Sequence, residues 1–256
     1  MEEYIMKSKI KAEVHAHTNA CFHAYSTIGE MVAMAEKRGQ ELLAITDHGP
    51  SYPDSPNVWY FENLVALPRK IGSVYVVRGA EVSLTGRDGS VDLPQEILKK
   101  LDWVIASYHA PFIQPGSIRE NTDAYINALK NPYIDAIGHS GTPSFAYDID
   151  EVLETVKKLD KVIELNNHSF IARKSSIENC KKIARRCAEL GVNVILSTDA
   201  HSAYEIAETE ECWKMAMEAG ICEEQILNLN AERFLSYICR RRGYDRARFE
   251  SEVSDR

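Results

Sequence analysis

Seven short apolar runs recur along the chain, at 11–15, 41–46, 73–84, 103–107, 133–138, 161–165 and 192–197. Nearly all of them lead into a histidine or a carboxylate. Helical patterns or irregular connections lie between them, and such alternation predicts parallel strands joined by crossovers. The strand centres are almost wholly apolar, as strands buried on both faces are. An open doubly wound sheet and a closed α/β barrel both fit that pattern. The placement of the polar residues favours the barrel. In a barrel the C-terminal strand ends ring one mouth, whereas in an open sheet they spread along a line, too far apart to share a ligand.

The connections carry their own punctuation. Thr27, with Glu30 three residues on and Gly39 as a stop, predicts a capped helix over 27–38. Further helices are expected over parts of 57–70, 94–101 with Pro94 at its first position, 117–130, 148–159, 175–190 stopped by Gly191, 203–219, 223–227 and 231–241. Gly86-Arg87-Asp88-Gly89 reads as a turn closing a small hairpin. One domain is expected over 1–243, followed by a charged, fraying tail over 244–256.

Seven of the eight histidines sit at or just after strand ends: His15, His17, His23, His48, His109, His139 and His201. In a strand, residues i and i+2 face the same way, so His15 and His17 can aim two imidazoles at one point. Glu81 ends an apolar run and Asp199 follows another. Each would cost several kcal/mol, roughly, if buried without a cation or partner. Asp47 has three possible roles: ligand, cap of the next turn or orienter of a neighbouring histidine. We favour the last. Nine ligand types exceed the three protein ligands and water of one catalytic zinc, and point to about three ions. Imidazoles with a few carboxylates suit zinc, manganese or iron better than magnesium or calcium.

At 256 residues with net charge −8, the chain does not read as a nonspecific binder of long nucleic acid or of membrane surfaces. The N-terminus has no apolar run of signal-peptide length and no stretch reaches transmembrane length, so the expected location is cytoplasmic. None of the six cysteines forms a C-x-x-C pair, and buried reduced thiols are expected. Cys21, between His17 and His23, is the one cysteine placed to reach a cation.

The ordered set His15-Ala16-His17, His23, Thr46-Asp47-His48-Gly49, Glu81, His109, His139 and Asp199-Ala200-His201 resembles the PHP (polymerase and histidinol phosphatase) family. The resemblance covers about residues 12–205, and the chain looks most like the stand-alone bacterial PHP phosphatases. It implies a distorted, TIM-like (β/α)7 barrel with a trinuclear metal site at the C-terminal ends of the strands. By the family pattern, His15, His17, Glu81 and Asp199 would hold one metal. Glu81 would bridge to a second, completed by His109 and His139, and His23, His48 and His201 would hold a third. The implied activity is hydrolysis of a phosphate monoester of a small metabolite by a metal-bridging hydroxide. Glu81, Asp199 and His201 are the expected catalytic groups, and Asp199, His201 or a metal-bound water the expected acid.

Ser107, Ser140 and Ser197 adjoin these residues, but none lies in a nucleophile elbow. Arg173 either starts a helix in solvent or binds phosphate; His168 either supports the site or touches substrate. We carry both forward as substrate contacts. Arg78 is expected to be structural, and Tyr52, Trp59 and Tyr60 to be packing or pocket wall. The other readings are a phosphodiesterase or 3′-5′ exonuclease acting on a short oligonucleotide, an amidohydrolase-like enzyme, and an inactive metal-binding regulatory module. The sequence leaves the oligomeric state open, with the C-terminal helices either docking a partner or capping the barrel.

Overall fold

The computed structural model describes residues 8–110 and 112–251. Its elements in chain order are β1 (Ala12–Glu13), α1 (Ile28–Lys37), β2 (Leu42–Ile45), α2 (Val58–Asn63), β3 (Lys70–Ile71), β4 (Val74–Ser83), α3 (Gln95–Leu98) and β5 (Trp103–Ser107). Then follow α4 (Ile118–Leu129), β6 (Ala136–Ile137), α5 (Ile149–Lys158), β7 (Val162–Asn166), α6 (Ile177–Leu190), β8 (Val194–Ser197), α7 (Glu210–Glu218), α8 (Ala231–Arg242) and α9 (Arg248–Ser251). Strands pair in the order β1-β2-β4-β5-β6-β7-β8, all parallel, with β3 antiparallel to the start of β4. A parallel bridge between Ala16 and Ala200 brings the two edge strands together: His17 N donates to Ala200 O at 2.8 Å, and Ala200 N to His15 O at 3.3 Å. The result is a nearly closed, distorted (β/α)7 TIM-like barrel. No helix among the described residues is long and apolar enough to cross a membrane.

Local chemistry sets most element boundaries. Thr27 and Ser117 each form a reciprocal cap with a glutamate three residues on, starting α1 and α4. Gly191 and Gly243 close α6 and α8 in the left-handed conformation. The hairpin after β4 forms, with Thr85 N donating to Ser90 O at 2.9 Å and Gly89 at φ 83°. Two expected strands, 11–15 and 133–138, contract to two residues each, because side chains intercept their ladder partners. Trp103 Nε1 takes Val14 O at 3.0 Å, Thr46 Oγ1 takes Ala16 N at 2.9 Å, and Asp135 Oδ2 takes Val104 N at 2.9 Å. The helix expected over 203–219 is split into a 3-10 turn at Ala203–Glu205 and α7, around Ala207 at φ 68°.

The barrel interior is an apolar plug that includes Val14, Leu42, Ala44, Val77, Trp103, Ile105, Val162 and Ile195. Phe234, Leu235, Tyr237 and Ile238 of α8 pack into the same cluster, with Phe234 edge-on to Trp103 at 4.9 Å. Thus α8 caps the barrel. Beyond this plug, four ligand types lie four residues past an interior residue on the same strand path: His48 after Ala44, Glu81 after Val77, His109 after Ile105 and Asp199 after Ile195. An even spacing of this kind keeps both residues of each pair on the inner face.

The tail does not fray at its start. Phe249 of α9 is fully buried in the interior cluster's lower end, beneath the Arg69 guanidinium at 5.0 Å. Residues 1–7 and 252–256, including the tip of the expected tail, lie outside the described residues. We expect Phe249→Ala to destabilise the fold by about 3 kcal/mol, read as a lowered midpoint in urea denaturation. An unchanged midpoint would mean that the segment contributes nothing to the core.

Candidate metal centre

Glu81 is fully buried near the end of β4, and five histidines surround its carboxylate. Oε1 lies 2.9 Å from His139 Nε2 and 3.4 Å from His109 Nε2, and it accepts from Ser107 Oγ at 2.6 Å. Oε2 lies 2.8 Å from His48 Nδ1 and 3.5 Å from both His15 Nε2 and His17 Nε2. Asp199 Oδ1 completes the group, 3.1 Å from His17 Nε2 and 3.5 Å from His15 Nε2. His23, His48 and His201 form an adjoining ring group, with centroids of His23 5.2 Å from His48 and 4.9 Å from His201. All nine ligand types expected from the sequence therefore lie at one mouth, at the C-terminal ends of the strands.

Several contacts in this cluster are of the kind that bound cations would complete. His15 Nε2 and His17 Nε2 approach to 3.2 Å. His48 Nδ1, His17 Nδ1, His109 Nε2 and Glu81 Oε2 are buried and lack any hydrogen-bond partner; the 2.8 Å contact of His48 with Glu81 is misaligned for one. Each such orphaned buried group costs about 1–3 kcal/mol unless something else binds it. Among the described residues four compact triplets can close on an ion: His15-His17-Asp199, His17-His48-His201, His48-Glu81-His109 and His17-Cys21-Asp47. The donor set, imidazole with carboxylate, fits a divalent transition metal.

The outer contacts orient these rings as metal ligands require. His15 Nδ1 bonds Glu164 Oε1 at 2.5 Å, His23 Nδ1 bonds Asp54 Oδ2 at 2.7 Å, His109 Nδ1 bonds Ser83 Oγ at 2.9 Å, and His201 Nδ1 bonds Asp199 O at 2.8 Å. With Nδ1 engaged, each ring turns its Nε2 inward. Electrostatics agree. Burial opposes the charges of Glu81 and Asp199, but His15, with His109 and His48 beside Glu81 and Arg173 beside Asp199, outweighs it and holds both well below the usual carboxylate range. Burial opposes charge on His15 too, and Glu164, Asp199 and Glu81 override it, raising that imidazole well above its ordinary value. Burial and the facing His48 push His17 the other way. This buried set of acids calls for positive charge, which divalent cations would supply.

Two of the nine, His139 at φ 24° and Asp199 at φ 54°, adopt backbone conformations rare outside glycine. Neighbouring contacts hold them there: His139 N donates to Glu164 Oε2 at 2.6 Å, and Asp199 O accepts from His201. Gly138 permits the approach of His139, since a Cβ at that position would meet Ser107 Oγ at 2.3 Å.

The remaining expectations sort as follows. Asp47 makes no hydrogen bond to a histidine among the described residues, although one of its oxygens, the Cys21 sulfur and a His17 nitrogen lie within 4.8 Å of one another. Its oxygens take Thr18 N at 2.7 Å, Thr18 Oγ1 at 2.9 Å and Tyr60 Oη at 2.5 Å, so it ties down the loop carrying His17 and His23. Cys21 is a buried thiol whose pKa burial and Asp47 push up, which disfavours the thiolate a cation needs. Ser107 and Ser197 donate to Glu81 and Glu164 at 2.6 Å each, and Ser140 accepts from Tyr147, so all three are engaged as supports. Tyr52 stacks on His48 at 4.1 Å and walls the mouth; Trp59 is exposed. Arg173 reaches Asp199 Oδ2 at 2.6 Å and Asn166 Oδ1 at 3.1 Å, and the His168 ring lies 5.8 Å from that of His201.

Sequence reasoning passed over Glu164, Glu13 and Asp54. Glu164 carried the signal that singled out Glu81, a lone carboxylate within an apolar run. Glu13 is buried under the first strand and accepts from Thr198 Oγ1 at 2.7 Å and from Val14 N, His15 N and Thr198 N. We expect Glu164→Gln to leave the barrel folded but to weaken metal binding roughly 10–100-fold, measured by competition with a chromophoric chelator. Wild-type affinity would remove Glu164 from the support of His15 and His139.

Comparison with known proteins agrees with this geometry. A family model described as the PHP domain matches residues 13–168. A protein named "Probable phosphatase" from Acetivibrio thermocellus is 42% identical over 234 residues, covering 91% of this chain and 97% of that protein. Another from Thermoanaerobacter sp. is 44% identical over 232 residues, 90% of this chain and 95% of that protein. Among solved structures, the histidinol phosphate phosphatase of Lactococcus lactis, complexed with zinc, L-histidinol and phosphate, superposes with a TM-score of 0.62 at 19% identity, over 83% of this chain and 94% of that one. At that identity the likeness is one of fold. With the family model spanning more than half of the chain and relatives of this identity spanning nearly all of it, this protein belongs to the PHP domain family.

Proposed function

We propose that the chain is a metal-dependent phosphatase that hydrolyses phosphate monoesters of small molecules at this cluster. The observation that carries the reading is Glu81, a fully buried carboxylate within 3.5 Å of nitrogens from four histidines on four separate strand ends, with a further histidine, His17, at the same distance. The phosphatase names of the relatives support it, as does the zinc and phosphate in the structural neighbour. In this reading the site is trinuclear. His15, His17, Glu81 and Asp199 would hold one cation, Glu81 with His109 and His139 a second, and His23, His48 and His201 a third. Zinc is the favoured ion, with manganese or iron as substitutes. Divalent ions in such a site supply Lewis acidity toward phosphate oxygens and activation of water near neutral pH.

The chain's own side chains have further parts. Arg173 anchors one face of Asp199 and keeps a buried Nε without a hydrogen-bond partner, a donor suited to a phosphate oxygen. Asp199, held ionised by His15 and Arg173, suits cation binding better than proton donation. His201, with Nδ1 engaged by Asp199 O and Nε2 turned to the cluster, is likewise committed as a ligand, so a water held in the site is the acid that would protonate the leaving alkoxide, with the His168 ring 5.8 Å from that of His201 at the rim. Tyr52 and Phe112, 5.0 Å apart, line the entry.

Purified protein is expected to carry two to three zinc, manganese or iron ions and to cleave p-nitrophenyl phosphate. Cleavage of bis-p-nitrophenyl phosphate alone would transfer the assignment to a phosphodiesterase or short-oligonucleotide exonuclease. Glu81→Gln should lose at least one ion and about 1,000-fold in turnover while keeping its far-ultraviolet circular dichroism; full activity of that variant would sink the proposed site. Arg173→Ala should lower kcat/KM for the monoester about 10–100-fold with the metal content unchanged, and loss of metal instead would assign Arg173 to holding Asp199 alone.

A further inference from the structure

A second site lies at the other end of the barrel. A cavity of about 810 Å³ opens beside Lys99, Lys100 and Tyr133, where the chain enters β5 and β6, and beneath Arg241 and Arg242 at the end of α8 and Arg248 of α9. Glu62 is the one acidic residue among its lining, and Lys100 engages it at 2.6 Å. In a chain of net charge −8, this is a local excess of positive charge. The acid behind the wall, Asp135, offsets only part of it, and the six lining cations still outnumber Glu62 and Asp135. Asp135 is taken by Arg242, at 3.0 Å from Nη1, and by the backbone of Val104. Arg241 Nη2 donates to Pro132 O at 2.9 Å, while its buried Nε stands 3.5 Å from Asp135 and makes no hydrogen bond. Lys161 sits just behind, donating to Asn131 O and Ile134 O; burial, and then Arg241, push its amine down to about 7.

The walls are aromatic as well as cationic. Phe61, Tyr133 and Tyr244 line the cavity, with the Arg248 guanidinium 4.0 Å from the Tyr244 ring centroid and that of Arg242 5.9 Å from the Tyr133 ring. Guanidinium forks recognise phosphate oxygens, flat rings stack on aromatic and guanidinium planes, and the volume falls in the range of small-ligand sites. We propose that this cavity binds a phosphorylated small molecule bearing a flat ring, a nucleotide in chemical class, separately from the metal centre. Arg78, in the cavity wall, and Glu81, in the cluster, are three residues apart on β4, roughly 10 Å along the strand, so one strand runs between the two sites.

The test uses ATP as the probe, by isothermal titration calorimetry on metal-loaded wild-type protein and on Glu81→Gln, which is expected to lose at least one ion from the cluster. Saturable ATP binding should persist in Glu81→Gln. It should weaken about tenfold on adding Arg241→Met or Lys99→Glu, and adenosine should bind at least about tenfold more weakly than ATP. Lys99 is exposed, so its variant stays folded even where the Arg241 variant does not. Absence of saturable binding to Glu81→Gln, affinity unchanged by Lys99→Glu and Arg241→Met, or equal binding of adenosine would each overturn the proposal.

Discussion

Glu81 is the constraint on which the mouth of this barrel depends. A fully buried carboxylate is stable only if positive charge and hydrogen bonds reach both of its oxygens. Ser107 satisfies one oxygen directly; the other faces imidazole nitrogens that make no hydrogen bond to it. The neighbouring Asp199 has Arg173 and Asn166 on one oxygen and two histidines on the other. The acids thus have partial protein compensation, and the remainder is of the kind that divalent cations provide. This incompleteness is what separates the cluster from an ordinary buried salt-bridge network.

A ring of further acids holds the histidines in place, and it comes from elements far apart in sequence. Glu164 on β7 ties His15 of the first strand to His139 after β6 and receives Ser197 from β8. Glu13 ties the first strand to Thr198, and Asp54 reaches back to His23. Two of these bonds, Glu13 with Thr198 and Glu164 with His15, cross the seam where the edge strands meet, so closing the barrel also orients His15. The strained backbone at His139 and Asp199 fits the same picture, since surrounding bonds over-determine both.

The two ends of the barrel differ sharply in character. One end gathers imidazole and carboxylate in nearly full burial. The other is stoppered by α8 and the buried Phe249, and edged by arginines whose partners are backbone carbonyls and Asp135. Between them runs the apolar plug, which keeps the opposite charges apart and the strands in register.

The sequence by itself determined the alternating strands and helices, the cap at Thr27, the stop at Gly191 and the nine histidines and carboxylates gathered at the mouth, because each signal is local: a period, a cap or a residue at a strand end. Tertiary structure decided the rest. That Asp47 ties down the loop carrying His17 and His23 follows from Thr18 and Tyr60, which only the folded chain brings to its oxygens. The contraction of the first and fifth barrel strands came from Trp103, Thr46 and Asp135, whose side chains replace ladder partners across the sheet. Glu164 looked like any single acid in an apolar run until closure brought His15, 149 residues away, against it. The packing of Phe249 under Arg69 was hidden in a charged tail, since composition reports exposure on average and cannot say which aromatic finds a cavity. Contacts of this kind depend on where distant segments meet, and that is settled only when the barrel closes.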